Sequence, residues 1–286
     1  MALNSINLTA GMRANLFSLQ QTSKDFEVTQ RRLATGLRVN TALDDPINFF
    51  TAQEHKLRAT DLAGRKDGMS EAIQTIKAAN VGVEGISNLI AQAKSLAQSA
   101  MSAGSTEAVS YASQYTTVMT QISEMAVDSG YKGINLLQAG ELTVEFAPTA
   151  GDSTLKLTGF GGTTADFTIS GLSAEITGLT ATTWATSGSD TVNTANIQTS
   201  INNLDLANDA LRTESKKLSS NLNIITAREE YTSMMINTLN DGALKLTEAD
   251  MNEEGANMLM LQTRQALGTT SLSLAGQAAQ SVLRLF

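Results

Sequence analysis

The stretch "SLSLAGQAAQSVLRLF" (271–286) carries a row of apolar residues. Leu272, Ala275, Ala279, Val282 and Phe286 recur at steps of 3, 4, 3 and 4. That is the spacing of a helix that packs lengthwise against another helix. A matching row lies at the other end. Met12, Leu16, Leu19, Ser23, Phe26, Gln30, Leu33 and Leu37 step by 4 and 3. Its two polar members, Ser23 and Gln30, are of the kind that fixes register at some cost in stability. Two helices of similar length, each with one stripe, satisfy each other if the chain ends pair. Leu274, Ala278, Leu283 and Leu285 lie off the C-terminal stripe. Covering them as well requires further copies of the chain, so the periodicity alone predicts self-assembly.

The interior continues the pattern. Only two prolines are present, Pro46 and Pro148, so long helices are permitted. "LRVNTALDDP" reads as a connector, with Asp44 beside it and Asp45–Pro46 as a helix start: Asp caps free amides and Pro suits the first turn. From Pro46 to about Ser102 the spacing predicts one long helix. Ala72, Ile76, Ala79, Val83, Ile86, Ile90, Ala93, Ala97 and Ala100 form an unbroken series. Gly64, Gly68, Gly82 and Gly85 cost that helix about 1 kcal/mol each relative to Ala, which packing must offset. A shorter helix follows "SAGST", on Ala108, Ala112, Tyr115, Met119, Ile122 and Ala126.

After "DSGYKGINLL" the period changes to two. "LTVEF", "TLKLTG" and "FTIS" alternate as strands do. Residues 149–194 hold 18 Ser or Thr against one basic residue, Lys156, which predicts a polar, loop-rich β segment. Helical spacing returns at Ile197, Ile201, Leu204, Asn208 and Leu211 and runs on to Ile236 and Leu239. "NDGALKLTEAD" is expected to break it, and a last helix to start near Met251. The predicted fold is mainly α: a long antiparallel bundle or coiled coil built from both termini, with a small β-rich insert in the middle.

Little in the sequence supports chemistry. With 28 Asp+Glu against 20 Lys+Arg the net charge is −8, which disfavours a nucleic-acid partner. Cysteine is absent, so disulfide and thiolate chemistry are excluded. No apolar run spans a bilayer, and Asn4, Ser5, Asn7 and Thr9 interrupt what would be a signal-peptide core. His55, the only histidine, lies in "QEHKL" and reads as part of a solvated helix face, since a metal site or a Ser–His–Asp set needs partners it lacks. "GFGG" (159–162) lacks the rest of a phosphate loop. Glu229–Glu230 and Glu253–Glu254 read as charged faces or helix starts. "NLT" (7–9) fits a glycosylation pattern only in a secretory pathway. Trp184 reads as a small-core tryptophan. Catalytic, cofactor and metal sites are therefore expected to be absent. Residues 1–38 carry five basic and two acidic groups, net +3, which predicts salt-sensitive pairing with acidic neighbours.

The terminal arms resemble those of bacterial flagellins. "TQRRLATGLRVNTALDDP" looks like the family's N-terminal signature, "YKGINLL" like its turn into a β-hairpin, and "SLAGQAAQSVLRLF" like its C-terminal ending. The resemblance covers about 1–142 and 197–286. It implies a filament subunit whose residues 1–38 with 252–286 form the innermost helical polymerisation domain. Residues 39–142 with 197–251 would form a helical shell with the connectors, and 143–196 an outer variable insert. The polymerisation seam would be Met12, Leu16, Leu19, Phe26, Leu33 and Leu37 with the C-terminal row. Asp44, Asp45 and Pro46 would form the connector and helix cap. It further implies export to the flagellum without a cleaved signal. The implied partners are other copies, an export chaperone, a filament cap and hook-junction proteins, with O-glycans on the Ser/Thr-rich insert and no nucleic-acid or membrane partner. A hook–filament junction protein, or an adhesin acting through the insert, is the alternative. Where many flagellins carry an arginine read by an innate receptor, "LIAQAKSLAQSA" offers Lys94, with Leu96 and Gln98, and no arginine.

Overall fold

The protein is seen here as a computed structural model that describes residues 10–148, 152–160, 184–185 and 192–283, with the side chains at 279, 282 and 283 left out. Its elements are α1 (Ala10–Thr35), α2 (Pro46–Ser102), α3 (Ser105–Asp128), β1 (Glu141–Glu145), β2 (Thr154–Thr158), α4 (Thr194–Thr247) and α5 (Met251–Leu283). The expected strand "FTIS" (167–170) lies outside the described residues. The chain forms two compact units. One holds the described residues of Met1–Ala59 and Asn237–Phe286, and the other is Thr60–Ile236.

The larger unit is organised by the long seam of α2. All nine residues from Ala72 to Ala100 in the predicted series are buried, and so are the six of α3. Ile197, Ile201, Leu204, Leu211, Leu218 and Ile225 of α4 join the same core. A fully buried isoleucine such as Ile76, Ile86, Ile90 or Ile122 contributes about 2 kcal/mol. Polar side chains set the register between α2 and α4. Lys66 Nζ donates to Ser233 Oγ (3.3 Å), Ser70 Oγ to Glu229 Oε1 (2.7 Å) and Lys94 Nζ to Asp205 Oδ1 (2.5 Å). From the first link to the last, each helix advances 28 residues with no slip. That is four heptads, so the seam returns to the same face.

Two of the four α2 glycines have a packing reason. A Cβ on Gly82 would lie 2.1 Å from Ser129 Oγ and 2.7 Å from Leu137 Cδ1, and one on Gly85 would lie 2.5 Å from Met125 Sδ. These positions let α3 and the chain beyond it approach the α2 backbone. Gly64 and Gly68 face open space.

After α3 the chain reverses in a two-residue turn. Tyr131 and Ile134 exchange both backbone hydrogen bonds at 2.9 Å, and Lys132 and Gly133 between them take φ of 49° and 82°. Positive φ at both central residues marks a type I′ hairpin turn. Asn135 then ties off α3, its Nδ2 donating to the Ala126 and Val127 carbonyls. β1 and β2 pair antiparallel from Glu141↔Thr158 to Glu145↔Thr154. Their inward residues Leu142, Val144 and Leu157 reach the helical core, as do Phe160 and Trp184. Trp184 is buried against Tyr115, with ring centroids 4.7 Å apart, and its Nε1 donates to Ser200 Oγ (3.2 Å). The base of the segment 143–196 is therefore part of the bundle core. Burial pushes the Tyr115 phenol up to about 12.

The break expected in "NDGALKLTEAD" is confined to its last three residues. α4 continues through Asn240, Asp241 and Gly242 to Thr247, leaving three residues, 248–250, as connector. Gly242 lies against His55, whose Cδ2 would be 3.7 Å from an added Cβ, an ordinary contact. By the same contact His55 is half-buried beside α4 and not on an open face.

Gly82→Ala should lower stability by about 1–3 kcal/mol through overpacking. Gly68→Ala should raise it by up to about 1 kcal/mol through helix propensity. Thermal unfolding followed by circular dichroism would separate the two.

Candidate assembly surface

The terminal unit is built on the antiparallel pair α1 and α5. Two points set its register. Leu19 sits in a notch left by Gly268, where an added Cβ would lie 2.6 Å from Leu19 Cδ2. Arg32 Nη1 donates to Glu254 Oε1 at 2.9 Å. These points are 13 residues apart on α1 and 14 on α5. Glu254 is 6% exposed, and its second oxygen, Oε2, is buried with no partner among the described residues.

The stripe that α1 covers differs from the predicted one by a flank. Met12, Leu19, Phe26 and Leu33 are half-buried as members of it, but the residues between them are Asn15, Thr22 and Thr29. Asn15 is half-buried, and Thr22 and Thr29 are buried. Of the flank predicted in their place, Ser23 is half-buried, Gln30 is exposed and Leu16 is 40% exposed. Phe17 beside it is 71% exposed. Both series are valid 3/4 seams through the same four residues. The structure turns inward the polar flank and leaves the leucine outside. Burial of Thr22 is possible because its hydroxyl is satisfied within α1, donating to the Ser18 carbonyl at 2.9 Å. Leu37 lies beyond the helix, in the connector. On α5 the covered row is Glu254, Met258, Leu261, Gly268, Leu272 and Ala275, each buried or half-buried. It continues toward 279 and 282, whose side chains, like residue Phe286, lie outside the described residues.

The two connectors are joined by backbone. Gly36 ends α1 at φ +70°, a left-handed conformation suited to glycine. Beyond it Arg38 N and Val39 N donate to the Thr247 carbonyl (2.7 and 3.2 Å), and Ala249 N donates to the Gly36 carbonyl (3.0 Å). Asp45 caps α2: its Oδ1 accepts from Asn48 N (3.1 Å), and Pro46 takes the first helical position. Asp250 does the same for α5, accepting from Asn252 N at 2.8 Å. Asp44 Oδ2 accepts from Asn40 N, Thr41 N and Thr41 Oγ1, and Asp44 Oδ1 faces Arg31 at 3.5 Å. The amide of Thr41 holds the Asp44 carboxyl below its ordinary 3.8, and the amide of Asn48 does so for Asp45.

The "LIAQAKSLAQSA" region behaves unevenly. Lys94 is tied to Asp205, Leu96 is half-buried, and Gln98 is exposed. Leu96 helps line an open groove between α2 and α3 of about 510 Å³, with Gln92, Ser95, Gln114, Thr117 and Val118. Among the described residues no cluster of three or more His, Cys, Asp or Glu could hold a metal ion, and no helix is long and apolar enough to cross a membrane.

What the pairing leaves uncovered decides the character of this surface. Leu259, Met260, Leu267 and Leu274 of α5 are 68, 48, 66 and 61% exposed, on top of the covered row. The helix is apolar on faces that its own chain does not reach. The sequence pattern of the bacterial flagellin N-terminal helical region matches residues 6–141, and that of the C-terminal helical region matches 194–286. The chain belongs to the bacterial flagellin family. Flagellin FljK of Caulobacter vibrioides is 28% identical over the full length of both chains. The flagellin of Brucella melitensis is 26% identical over 99% of this chain and 97% of its own. A crystal structure of Bacillus cereus flagellin superposes with a TM-score of 0.44 at 18% identity, over 58% of this chain and 88% of that one. This flagellin is a structural subunit of the flagellar filament, in a family whose members self-assemble.

Hydrophobicity carries no signal that α1 buries its Asn/Thr flank, and taken alone it favours the flank with Leu16. The notch at Gly268, which seats Leu19, is likewise revealed only by the partner helix. Arg32 and Glu254 were visible as charges but not as a pair. Arg32→Ala strands the Glu254 carboxylate and should destabilise the terminal unit by about 2 kcal/mol, read as faster hydrogen exchange in α1 and α5. The depressed Asp44 and Asp45 carboxyls stabilise the connectors above the unfolded value of 3.8. That contribution is lost as pH falls through their lower folded values. Protection of the Thr41 and Asn48 amides should therefore persist at pH 5 and vanish on acidification below 3.8.

Proposed function

We propose that copies of this flagellin polymerise through the uncovered faces of α1 and α5. In this reading the paired terminal helices line the wall of a hollow tube. Residues 39–142 with 197–251 form the shell around them, and 143–196 face outward. The observation that carries the reading is the apolar surface of α5 outside its covered row, exposed at Leu259, Met260, Leu267 and Leu274. A helix with a second apolar stripe beside its paired one is more stable in water when that stripe too is covered. Leu16 and Phe17 of α1 are uncovered as well.

The pair is thin, because Leu19, Phe26 and Leu272 are only half-buried within one chain. Neighbouring copies complete the burial, so ordering of the termini is coupled to growth of the polymer. Before assembly the same apolar C-terminal helix suits an export chaperone. A filament cap and hook-junction proteins would meet the same terminal helices at the polymer's ends. Export proceeds without a cleaved signal, and the hydroxyl-rich insert is the place for O-glycans. Of the basic residues in α1, Arg32 is committed to Glu254, while Arg13 and Lys24 remain exposed. They are available to acidic neighbours, and this makes assembly sensitive to salt.

An adhesin acting through the insert would be exposed by deleting it. The cut must spare Val144, Leu157, Phe160 and Trp184, which are buried in the bundle. Removing 161–183 is the appropriate deletion, and the shortened chain should still polymerise.

Sedimentation with electron microscopy of the pellet, under seeding, tests the proposal. The intact chain should form filaments. A chain truncated after Gly255, and a full-length Leu267→Gln/Leu274→Gln chain, should remain in the supernatant. Filaments from the double variant at the intact chain's rate would refute the α5 surface. Failure of the intact chain on seeds would favour the junction-protein alternative.

A further inference from the structure

Five of the 11 methionines fall between positions 234 and 260 of a chain without cysteine. Thioethers are therefore its only oxidisable sulfur, and they concentrate where α4 gives way to α5. They differ sharply in access. Met69 is fully buried in the α2 seam and Met119 is 7% exposed in α3, whereas Met251 and Met260 of α5 are each 48% exposed. The position of Met260 adds to its access. It lies seven residues from Leu267, which lies seven from Leu274, so the three share one uncovered stripe of α5. Met258, two residues earlier, belongs to the row covered by α1. Exposure and interface position thus coincide at Met260.

We propose that Met260 is an oxidation site that controls assembly: its sulfoxide blocks incorporation of the free subunit, and incorporation in turn shields the thioether. The proposal rests on the assembly surface argued above. With hydrogen peroxide as oxidant, the thioether sulfur attacks one peroxide oxygen. An S–O bond forms as the O–O bond breaks, the sulfur is oxidised by two electrons, and the second oxygen leaves as water after taking up the transferred proton. The product carries a strong dipole where the stripe needs an apolar, adaptable side chain. Leu267 and Leu274 offer it no donor, and the nearest exposed charged donor on α5 is Arg264, one turn on, so burying the sulfoxide between copies costs desolvation of its oxygen and draws Arg264 into the interface. Met251 oxidises at a similar rate but lies at the first turn of α5, off the Met260 stripe, and serves as an internal comparison.

The test uses the full chain. Free subunits and preformed filaments are treated with hydrogen peroxide, sulfoxide is located by peptide mass spectrometry, and each sample is offered to seeds. The expected result is sulfoxide at Met260 in free subunits, protection in filaments, and a critical concentration raised roughly tenfold or more after oxidation. A methionine sulfoxide reductase should reverse the effect. The Met260→Leu chain, referred to its own untreated rate, should lose most of the sensitivity, whereas Met251→Leu should keep it. Equal assembly of subunits carrying Met260 sulfoxide would overturn the proposal. So would equal oxidation of Met260 in filaments and free subunits, or a Met260→Leu chain as sensitive as the original. If untreated subunits failed to grow on seeds, the assembly reading itself would fall.

Discussion

Everything in the terminal unit depends on bringing together chain segments that are far apart in sequence. Arg32 and Glu254 meet across 222 residues. The larger unit shortens that separation. Lys66 and Ser233 are already linked within it, so the path from Arg32 to Glu254 is 34 residues on one side and 21 on the other. On a logarithmic closure law this lowers the entropic cost by about 1 kcal/mol. The connectors lower it further in effect, because the Gly36–Val39 and Thr247–Ala249 backbones bond to each other at the foot of both helices. α1 and α5 leave this junction already aligned, with Leu19 opposite the Gly268 notch.

The two units solve different problems. In the larger unit the seam is buried within one chain: Ile76, Ile86, Ala93 and Ala97 have almost no exposed surface. A polar ladder from Lys66–Ser233 to Lys94–Asp205 holds the register over four heptads. The terminal unit stops halfway. Its pair covers one stripe of each helix, and apolar residues beyond that stripe, Leu16, Phe17, Leu267 and Leu274 among them, stay exposed. The connectors of the terminal unit are in addition sensitive to acid through Asp44 and Asp45.

Much of this was legible in the residues. The α2 and α3 seams were read to the residue, because an uninterrupted 3/4 series of apolar side chains admits one buried face. The Asp45–Pro46 start was legible because a capping carboxylate and a residue lacking N–H suit the same turn. The end of α4 was not. Gly242 and Asp241 look like a break in isolation, yet the helix passes through them to Thr247, with His55 beside the glycine. His55 itself looked solvated for the same reason, since the residue that covers it belongs to a distant helix.

The sequence by itself determined the α2 and α3 seams, the Asp45–Pro46 start and the change to a β period after α3, because each follows from spacing and local backbone chemistry. The tertiary structure decided which flank of α1 turns inward, that Leu16 and Phe17 stay outside, that Glu254 is buried against Arg32, and that Trp184 belongs to the bundle. Those outcomes depend on the shape of the facing surface, such as the notch at Gly268, the carbonyls beside Gly36 and the ring of Tyr115. A single helix carries no record of the surface it will meet.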